Sequence, residues 1–483
     1  MGMRLKKPAE PLKLAFVAAV FLLFLYYMLW QVNFYLCRSI RETYFLAAVP
    51  VLVAGTLYFR RLKDGPEYIL LLSYWLWLIF TRFLNGDPVL VTEYQMVLEL
   101  SLMLPFLALG LSLDRDARRR FLNWLSAAVG GYYFILGVLC IAAFILRVEF
   151  VNPITEGLLG IKVADGFERI NILDINVCST ACWFMFAFFL MVYQFFACKN
   201  KWLRIPIVIA GLVHYATIAM TYTRSAMVST SLAIGILAML LVYTYAKTKK
   251  KGVLALLMAV AFLISTPLCY KGFALVTEGF GSVSRAVLAD DGQQQEPQQM
   301  LQAQDPQMKT LSAHVQESAP EAPDIFKDPR GWNGDLNSFS SNRIEVYKSA
   351  FYAIGKDPSI LWRGTLIGDT MTIANEMLYP RTQPHFHNFL IQVLMLTGLP
   401  GLFIIVAFCV MVAVKAIRLF LSRGEKATLG AKVLILPVIA MLCYSMLEAC
   451  IFTANEIRSL SFYLICGIML GFYYDVYPRK IRK

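Results

Sequence analysis

The chain has 483 residues, of which 58% are hydrophobic and 16% are charged, and its formal net charge is +13. A soluble globular protein has about 45–50% apolar and about 25% charged residues, so this composition excludes a soluble enzyme, a disordered chain and a disulfide-rich secreted protein. It indicates a polytopic membrane protein. The positions of the basic residues then decide whether the positive charge reflects nucleic-acid binding or membrane topology.

Twelve apolar segments are long enough to cross a bilayer, which needs about 20 apolar residues per helix. In chain order they are 14–33, 44–59, 68–84, 94–112, 121–146, 174–196, 205–222, 226–245, 253–270, 388–414, 433–454 and 460–475. The first segment follows four basic residues and precedes no small-residue cleavage site, which predicts a retained anchor. The sequence therefore predicts an all-α membrane fold of about 12 transmembrane helices.

The loops between these spans divide into two sets by charge. Seven alternate segments, from the N-terminus to 475–483, contain 27 of the 45 Lys and Arg residues, whereas the short loops of the other set contain eight. Short basic loops remain in the cytoplasm. Both termini are therefore predicted to lie in the cytoplasm and the long loop 271–386 outside the cytoplasmic (inner or plasma) membrane. The basic surplus is then a topology signal and does not indicate nucleic acid.

The long loop divides the chain into three predicted parts, with membrane helices 1–9 in 1–270 and membrane helices 10–12 in 387–483. Within the loop, 288–325 are rich in Gln, Pro, Ala and acidic residues and have few large hydrophobic side chains, which predicts disorder. In 341–356, by contrast, apolar residues recur at helical spacing. This segment is predicted to be an amphipathic helix on the outer face of the membrane.

Two of the four histidines, His385 and His387, lie at the predicted outer mouth of the tenth span. An imidazole at this boundary can act as a general base near neutral pH, although an interfacial aromatic cap is an alternative interpretation. His214 lies within a predicted span, where a hydrogen bond between helices is the simpler interpretation.

Three arginines break the charge rule because they lie on the predicted outer side. Arg224 is in the short turn between spans seven and eight, Arg343 begins the amphipathic helix, and Arg381 precedes His387 by six residues. Taken singly, each arginine is explained either by a contact of its side chain with lipid headgroup phosphates or by a position on a solvated helix face. Together, their guanidinium groups suit a lipid-linked pyrophosphate, while His387 takes a proton from an attacking hydroxyl.

No metal-binding motif at ligand spacing and no Walker A loop occurs in the sequence. We therefore predict no metal and no cofactor, and an activated lipid donor would supply the energy. Glu99, Asp174 and Glu448 lie in or beside predicted spans, where acidic side chains are functional candidates. They leave two alternatives open, a proton or cation path, as in a transporter, or pairing with Arg side chains inside the bundle.

The segment that begins at His387-Asn388 continues through Gln392 to Gly398-Leu-Pro-Gly401-Leu. It resembles the signature of the O-antigen ligase and polymerase superfamily, which is His-Asn, a few apolar residues, Gln and a Gly-Leu-x-Gly-Leu helix. Thr223-Arg224-Ser225 is similar to the Ser/Thr-Arg-small element that this family has between two spans.

Two further features of the long loop bear on this resemblance. The segment from Arg343 to Asp357-Pro358 is similar to the family's outer-loop Arg helix and the turn after it. The chain departs from the pattern in that turn, because three residues separate Gly364 and Gly368 where the family has one. The Gln-rich insertion is a second departure.

The resemblance implies a class C glycosyltransferase-like membrane fold and the transfer of a glycan from undecaprenyl diphosphate to an acceptor at the outer membrane face, without a metal. It implies that Arg224 and Arg343 bind the donor diphosphate and that His387 is essential at the acceptor side. Three neighbouring residues are predicted to bind substrate as well: Arg381, His385 and Asn388.

The predicted partners are a polyprenyl-diphosphate-linked glycan donor, a glycan or lipid acceptor, and membrane lipids. A surface polysaccharide polymerase and a ligase use the same donor geometry, so the sequence does not choose between them, although we favour a polymerase. A transporter or flippase of lipid-linked oligosaccharide is the alternative function. A scaffolding protein that binds a partner through its long loop is a third hypothesis.

Overall fold

The computed structural model describes residues 18, 65–85, 100–146, 150–151, 158–164, 167–172, 177–246, 250–290, 343–366, 371–379, 383, 385–422, 428–451 and 457–478. The predictions for the first two spans, for most of the Gln-rich segment, and for Glu99, Asp174 and Arg381 lie outside these residues. Within the described ranges the chain forms fourteen helices and three short strands.

The first seven helices and the strands are α1 (Pro66–Leu84), α2 (Met103–Ser112), α3 (Arg115–Leu146), β1 (Phe150–Val151), β2 (Leu158–Ala164), β3 (Phe167–Asn171), α4 (Val177–Ala197), α5 (Lys201–Met220), α6 (Arg224–Tyr245) and α7 (Lys251–Asp290). The other helices are α8 (Arg343–Lys356), α9 (Ile360–Arg363), α10 (Thr372–Leu378), α11 (Phe389–Leu421), α12 (Leu429–Val433), α13 (Ile435–Ser445) and α14 (Ile457–Val476).

Eight of the described helices are long and apolar enough to cross a membrane, and each overlaps a predicted span: α1, α3, α4, α5, α6, α7, α11 and α14. The shorter apolar helix α2 and the pair α12–α13 fall within or beside two further predicted spans. Large apolar side chains such as Leu263 and Phe403 are exposed on the bundle surface, as expected for helices that face lipid. The described residues thus fit an all-α polytopic membrane protein, and the count of twelve spans stays a prediction.

One end of the bundle, which we call the basic end, is held by buried ion pairs. Arg118 near the start of α3 bonds Asp475 at the end of α14, with 2.7 Å between Nη1 and Oδ2. Lys415 of α11 pairs with Glu67 at the start of α1, and Tyr474 donates its hydroxyl to the same carboxylate at 2.7 Å. The Arg118 guanidinium and the Glu67 carboxylate are buried, which is tolerable because each has an opposite charge and a further hydrogen bond, from Arg118 to the carbonyl of Gly110 and from Tyr474 to Glu67.

At the opposite end, which we call the site end, side-chain hydroxyl groups of two other segments lie within hydrogen-bond distance of backbone carbonyls at the start of α4. The hydroxyl of Thr223, just before α6, lies 3.4 Å from the carbonyl oxygen of Val177. The hydroxyl of Tyr444, near the end of α13, donates to the carbonyl of Cys178 at 2.7 Å. The starts of α4 and α6 and the end of α13 therefore lie side by side.

A small antiparallel sheet lies between α3 and α4, in the order β1-β2-β3. Ala164 pairs with Phe167, so β2 and β3 are connected by the two residues Asp165-Gly166. Asp-Gly is a strong signal for a two-residue hairpin. The sheet was not predicted from the sequence, in which residues 147–173 are only a short segment between two predicted spans.

Helix α7 continues to Asp290, which is 20 residues beyond the predicted end of its span at 270. Side-chain contacts explain why the helix continues. Phe273 stacks on Tyr215 of α5 with ring centroids 4.2 Å apart, and the Ser284 hydroxyl donates to the carbonyl of Ile145 at the end of α3 at 3.1 Å. Helical structure therefore extends into the region predicted as the outer loop.

Candidate functional site

Helix α8 lies against α10 and the start of α11 at the site end. Its small apolar side chains are buried, with Val346, Ala350 and Ala353 each at most 4% exposed, whereas Lys348 points to solvent. This face packs on Phe386 and on residues of α10 and α11 in a separate apolar cluster. The packing fixes the start of α8, and with it Arg343, beside the segment that carries His387.

Asn388 caps the N-terminus of α11. Its side-chain oxygen accepts hydrogen bonds from the backbone N–H groups of Leu390 and Ile391 at 3.0 and 3.2 Å, which satisfies two donors that a helix start leaves open. Its amide group donates to the carbonyl of Met446 at 3.1 Å. Asn388 therefore ties the start of α11 to the turn that follows α13.

His387 has a φ of +52°, in the left-handed region that non-glycine residues seldom occupy. The bonds around it hold this conformation. The Gln392 side chain accepts the Phe386 N–H at 3.0 Å, and the His387 N–H donates to Nδ1 of His385 at 3.2 Å. Residues in such conformations cost free energy and are concentrated at functional sites.

Glu448 joins His387 to Arg343. Its Oε2 lies 3.0 Å from Nδ1 of His387, while its Oε1 accepts a hydrogen bond from Nη2 of Arg343. The Glu448 side chain is only 9% exposed, and the Tyr347 hydroxyl donates to the carbonyl of Met446, two residues before Glu448, at 3.3 Å. One carboxylate thus fixes an imidazole and a guanidinium that lie 44 residues apart in the chain.

The electrostatics of this cluster favour an ionised Glu448. Burial alone would raise the pKa of its carboxyl group. The hydrogen bond from His387 and the positive charge of Arg343 outweigh burial and lower the pKa from 4.5 to about 2. At neutral pH the carboxylate is therefore negative and acts as a hydrogen-bond acceptor for His387. Of the two alternatives that the sequence left open for Glu448, pairing with an Arg side chain is the one observed.

The other ring nitrogen of His387, Nε2, faces the Gln383 side chain at 3.3 Å. The His385 ring lies beside it, with centroids 4.0 Å apart. Nitrogen atoms of both imidazoles and a carboxylate oxygen of Glu448 lie within 4.8 Å of one another, a spacing at which three groups can hold a cation. Since Glu448 already binds the Arg343 guanidinium, a metal ion there would meet a fixed positive charge close by.

Arg224 is the first residue of α6 and is half-buried. Its neighbour Thr223 and the residue Tyr444 both contact the first turn of α4. Glu448 lies one turn after Tyr444. Arg224 is thus at the same end of the bundle as the cluster of Arg343, Glu448 and His387.

Helix α11 has a break at Gly398. This position is one turn before the end of the segment from His387 to Leu402 that resembles the family signature. Gly398 has a φ of +66°, and Pro400 has no N–H to donate to the carbonyl of Leu396. Arg82 near the end of α1 donates from Nη2 to that carbonyl at 2.6 Å. The Leu396 carbonyl, which has no i+4 donor within its own helix, is therefore bonded by a residue of a neighbouring helix. This hydrogen bond explains why Arg82 is buried.

The short helix α9 packs directly on this break. A Cβ atom at Gly364 would lie 2.3 Å from the carbonyl oxygen of Leu396, and one at Gly398 would lie 2.7 Å from that of Trp362. Thr365 donates its N–H to the carbonyl of Met395 at 2.7 Å. Glycine is required at both positions, because they combine positive φ with backbone contact.

The structure brings together four of the predicted site residues: Arg343, His385, His387 and Asn388. Arg224 lies at the same end, whereas Arg381 and Gly368 lie outside the described residues. Sequence reasoning did not assign Tyr347 or Gln383 to the site. Tyr347 follows Arg343 by four residues and so shares its helix face, which is a signal that could have indicated it.

Fold and site together define a polytopic membrane protein with an Arg–Glu–His cluster around a buried carboxylate at one end of its helix bundle. Residues 206–406 match the family model described as O-Antigen ligase, which confirms the resemblance to that superfamily. No curated protein and no solved structure matches the chain. The match contains Arg224, Arg343 and His387, but Glu448 lies beyond it. It supports a glycan ligase or polymerase role in general and a glycosyltransferase-like enzyme.

Proposed function

We propose that the protein transfers glycan chains from an undecaprenyl-diphosphate-linked donor to an acceptor at the outer face of the cytoplasmic membrane, as a surface polysaccharide polymerase or ligase. The observation that carries the proposal is the contact of Glu448 with both His387 and Arg343. It joins a group that can accept a proton to a group that can bind a phosphate.

His387 is the proposed general base. When Glu448 accepts a hydrogen bond from the Nδ1–H group, the lone pair of the imidazole is on Nε2. Nε2 then takes the proton of the acceptor hydroxyl, and the Gln383 side-chain oxygen, 3.3 Å from Nε2, can accept a hydrogen bond from the Nε2–H group that results. A positioned base of this kind contributes about 10²–10⁴-fold to a rate.

The two arginines act on the leaving group. The acceptor oxygen forms a bond to the anomeric carbon as the bond from that carbon to the donor phosphate breaks. The leaving undecaprenyl diphosphate carries the negative charge, which the guanidinium groups of Arg224 and Arg343 neutralise. The proton remains on His387. These steps need no metal, and we propose that the reaction is metal-independent.

The charge bias supports an outward orientation of the site end. Described basic residues such as Arg118, Arg204, Lys251 and Lys415 are at the opposite end, and basic ends of membrane helices stay in the cytoplasm. A lipid-linked donor at the outer membrane face would then reach Arg224, Arg343 and His387.

A flippase has less support from the described residues. An ion-coupled transporter holds its acidic residues near the bilayer midplane. Glu448 follows the last residue of α13, at the end of the bundle, and both of its oxygens are engaged. Transport also gives no role to an imidazole and two arginines at one end.

The test is polymer synthesis in a strain that lacks the gene and carries a plasmid copy. We expect His387→Ala and Arg224→Ala, expressed separately at the wild-type level, to abolish long-chain surface polysaccharide. Lys348→Ala removes a charge from the exposed face of α8 and is the control that should retain it. Undiminished polymer in both site variants would contradict the proposal.

A further inference from the structure

A cavity of about 610 Å³ opens on the side of the bundle between α3, α4 and α5. It lies in the half of the bundle nearer the basic end, far from His387 along these helices. Its walls include Phe134, Met191, Leu203 and Ile207, and they are mainly apolar. Apart from the chain neighbours and the helix backbone of Gly131 itself, no atom lies within 4 Å of the position that a Cβ would take there, so the cavity is open at this point.

A second, cationic cavity of about 320 Å³ adjoins the first at the basic end. The two cavities share Asn123, Ala197 and Cys198. Three basic residues line the second cavity: Arg119, Lys199 and Arg204. Among the residues described along both cavities, none is acidic. An apolar space that faces the membrane thus continues into a pocket of positive charge.

One of the three basic side chains of this pocket, Arg204, is held in place by contacts within the protein. The Arg204 guanidinium donates from Nε and Nη2 to the carbonyl of Cys198 at 3.1 and 2.9 Å and stacks on the Phe195 ring, 5.2 Å from its centroid. Its orientation is therefore fixed before any ligand binds. In the apolar cavity, the Ser126 hydroxyl is fully buried and has no partner among the described residues.

We propose that the two cavities together bind an anionic phospholipid of the leaflet at the basic end. Its phosphate contacts Arg119, Lys199 and Arg204, and one of its acyl chains lies in the apolar cavity. Basic pockets between membrane helices on the cytoplasmic side bind anionic lipid headgroups. A free phosphate would leave the apolar cavity empty, and a zwitterionic lipid would leave the positive charge uncompensated. This site is separate from the proposed transfer reaction.

Native mass spectrometry of the full-length protein, titrated with phosphatidylglycerol or phosphatidylcholine, tests the site. The wild type should bind phosphatidylglycerol more tightly than phosphatidylcholine. Because each basic residue contributes on the order of a fivefold change in affinity, Arg119→Gln and Lys199→Gln should each weaken phosphatidylglycerol binding about fivefold. They should weaken phosphatidylcholine binding less, because the choline cation of that lipid offsets the charge of its phosphate. Lys251→Gln removes a charge at the same end outside both cavities and should change neither.

Filling the apolar cavity provides the second test. Gly131→Phe places a ring in open space and should weaken the binding of both lipids while the protein keeps its melting temperature. Ala127→Leu, at another exposed position of the same wall, serves the same purpose if the first variant does not fold. Equal affinity of the wild type for the two lipids, or affinities unchanged in the charge and cavity variants, would overturn the proposal.

Discussion

Glu448 contacts two groups that the proposed reaction uses for different purposes, the His387 imidazole and the Arg343 guanidinium. The carboxylate sets which ring nitrogen of His387 carries the proton, and it holds Arg343 close by before the donor arrives. It does not reach the reacting atoms itself, so it is a positioning residue. Its removal should therefore affect the pH dependence and rate of the reaction more than the binding of substrate.

We expect Glu448→Gln to lower kcat by about 10²-fold or more, because the amide no longer stabilises the imidazolium that forms during transfer. KM should change much less. Glu448→Asp should recover part of the rate. The measurement is glycan transfer by purified protein with a lipid-linked donor, with Glu345→Gln, an exposed residue of α8, as control. Full activity of Glu448→Gln would contradict this role.

The stability that Glu448 contributes should depend on pH in a defined window. Its pKa is lowered in the folded protein, from 4.5 to about 2, so its contribution is complete above pH 4.5 and disappears as the pH falls towards 2. The difference in unfolding free energy between the wild type and Glu448→Gln, measured in detergent, should shrink as the pH falls from 4.5 towards 2. A difference that does not vary down to pH 2 would contradict the pairing.

Metal independence can be tested directly at the same cluster. His385, His387 and Glu448 have a spacing that suits a cation, but Glu448 is already bound by Arg343. We expect the transfer rate to be unchanged after EDTA treatment and dialysis, since Arg343 supplies the positive charge. A loss of activity that one divalent cation restores would show that the histidines hold a metal.

At the scale of elements, the contact between α9 and the break in α11 positions the start of α11. Gly364 and Gly398 both have a φ of +66°, and a Cβ atom at either would collide with backbone of the other segment. Gly364→Ala and Gly398→Ala should each lower stability by about 1–3 kcal/mol and reduce transfer activity. Gly355→Ala, in open space on α8, should leave stability equal or raised by up to about 1 kcal/mol. Thermal denaturation of the three variants is the measurement, and equal melting temperatures would contradict the close contact.

The order of the elements could largely be predicted from sequence, because apolar length alone marks a membrane helix. What could not be predicted depends on contacts between distant parts of the chain. Helix α7 continues past its predicted end because Phe273 and Ser284 find partners on α5 and α3. The sheet after α3 had a local sequence signal, the hairpin dipeptide Asp165-Gly166. A prediction based on the length of apolar segments does not detect this signal.

In the candidate site, too, some features could be predicted from the sequence and others depend on contacts between distant residues. The order of Arg343 and His387 follows from the motif, and the charge pattern predicts that they share one side of the membrane; both lie at the site end. Glu448 is 61 residues after His387 and was assigned to the interior of a span, so its two partners could not be deduced from spacing. Only the packing of α8 and α11 against the turn after α13 brings the three together. The catalytic and binding roles of these residues stay predictions.

At the scale of the whole molecule, the charge distribution and the site make one joint prediction about orientation. If the basic end faces the cytoplasm, α8 is outside the cell and the start of α5 is inside. Lys348 on α8 and Lys201 at the start of α5 are both exposed, so each is suited to substitution by cysteine. Each described native cysteine is buried or half-buried, which keeps background labelling low.

A membrane-impermeant maleimide added to intact spheroplasts should label Lys348→Cys above the wild-type background and leave Lys201→Cys unlabelled. Opening the membranes should make Lys201→Cys reactive, which controls for its accessibility. The reverse pattern would place the cluster of Arg343, Glu448 and His387 in the cytoplasm, where a lipid-linked donor at the outer face does not reach it. The orientation of the protein is set by the 27 basic residues of the predicted cytoplasmic segments and not by the chemistry of the site. The labelling experiment therefore tests the proposed function independently of every active-site variant.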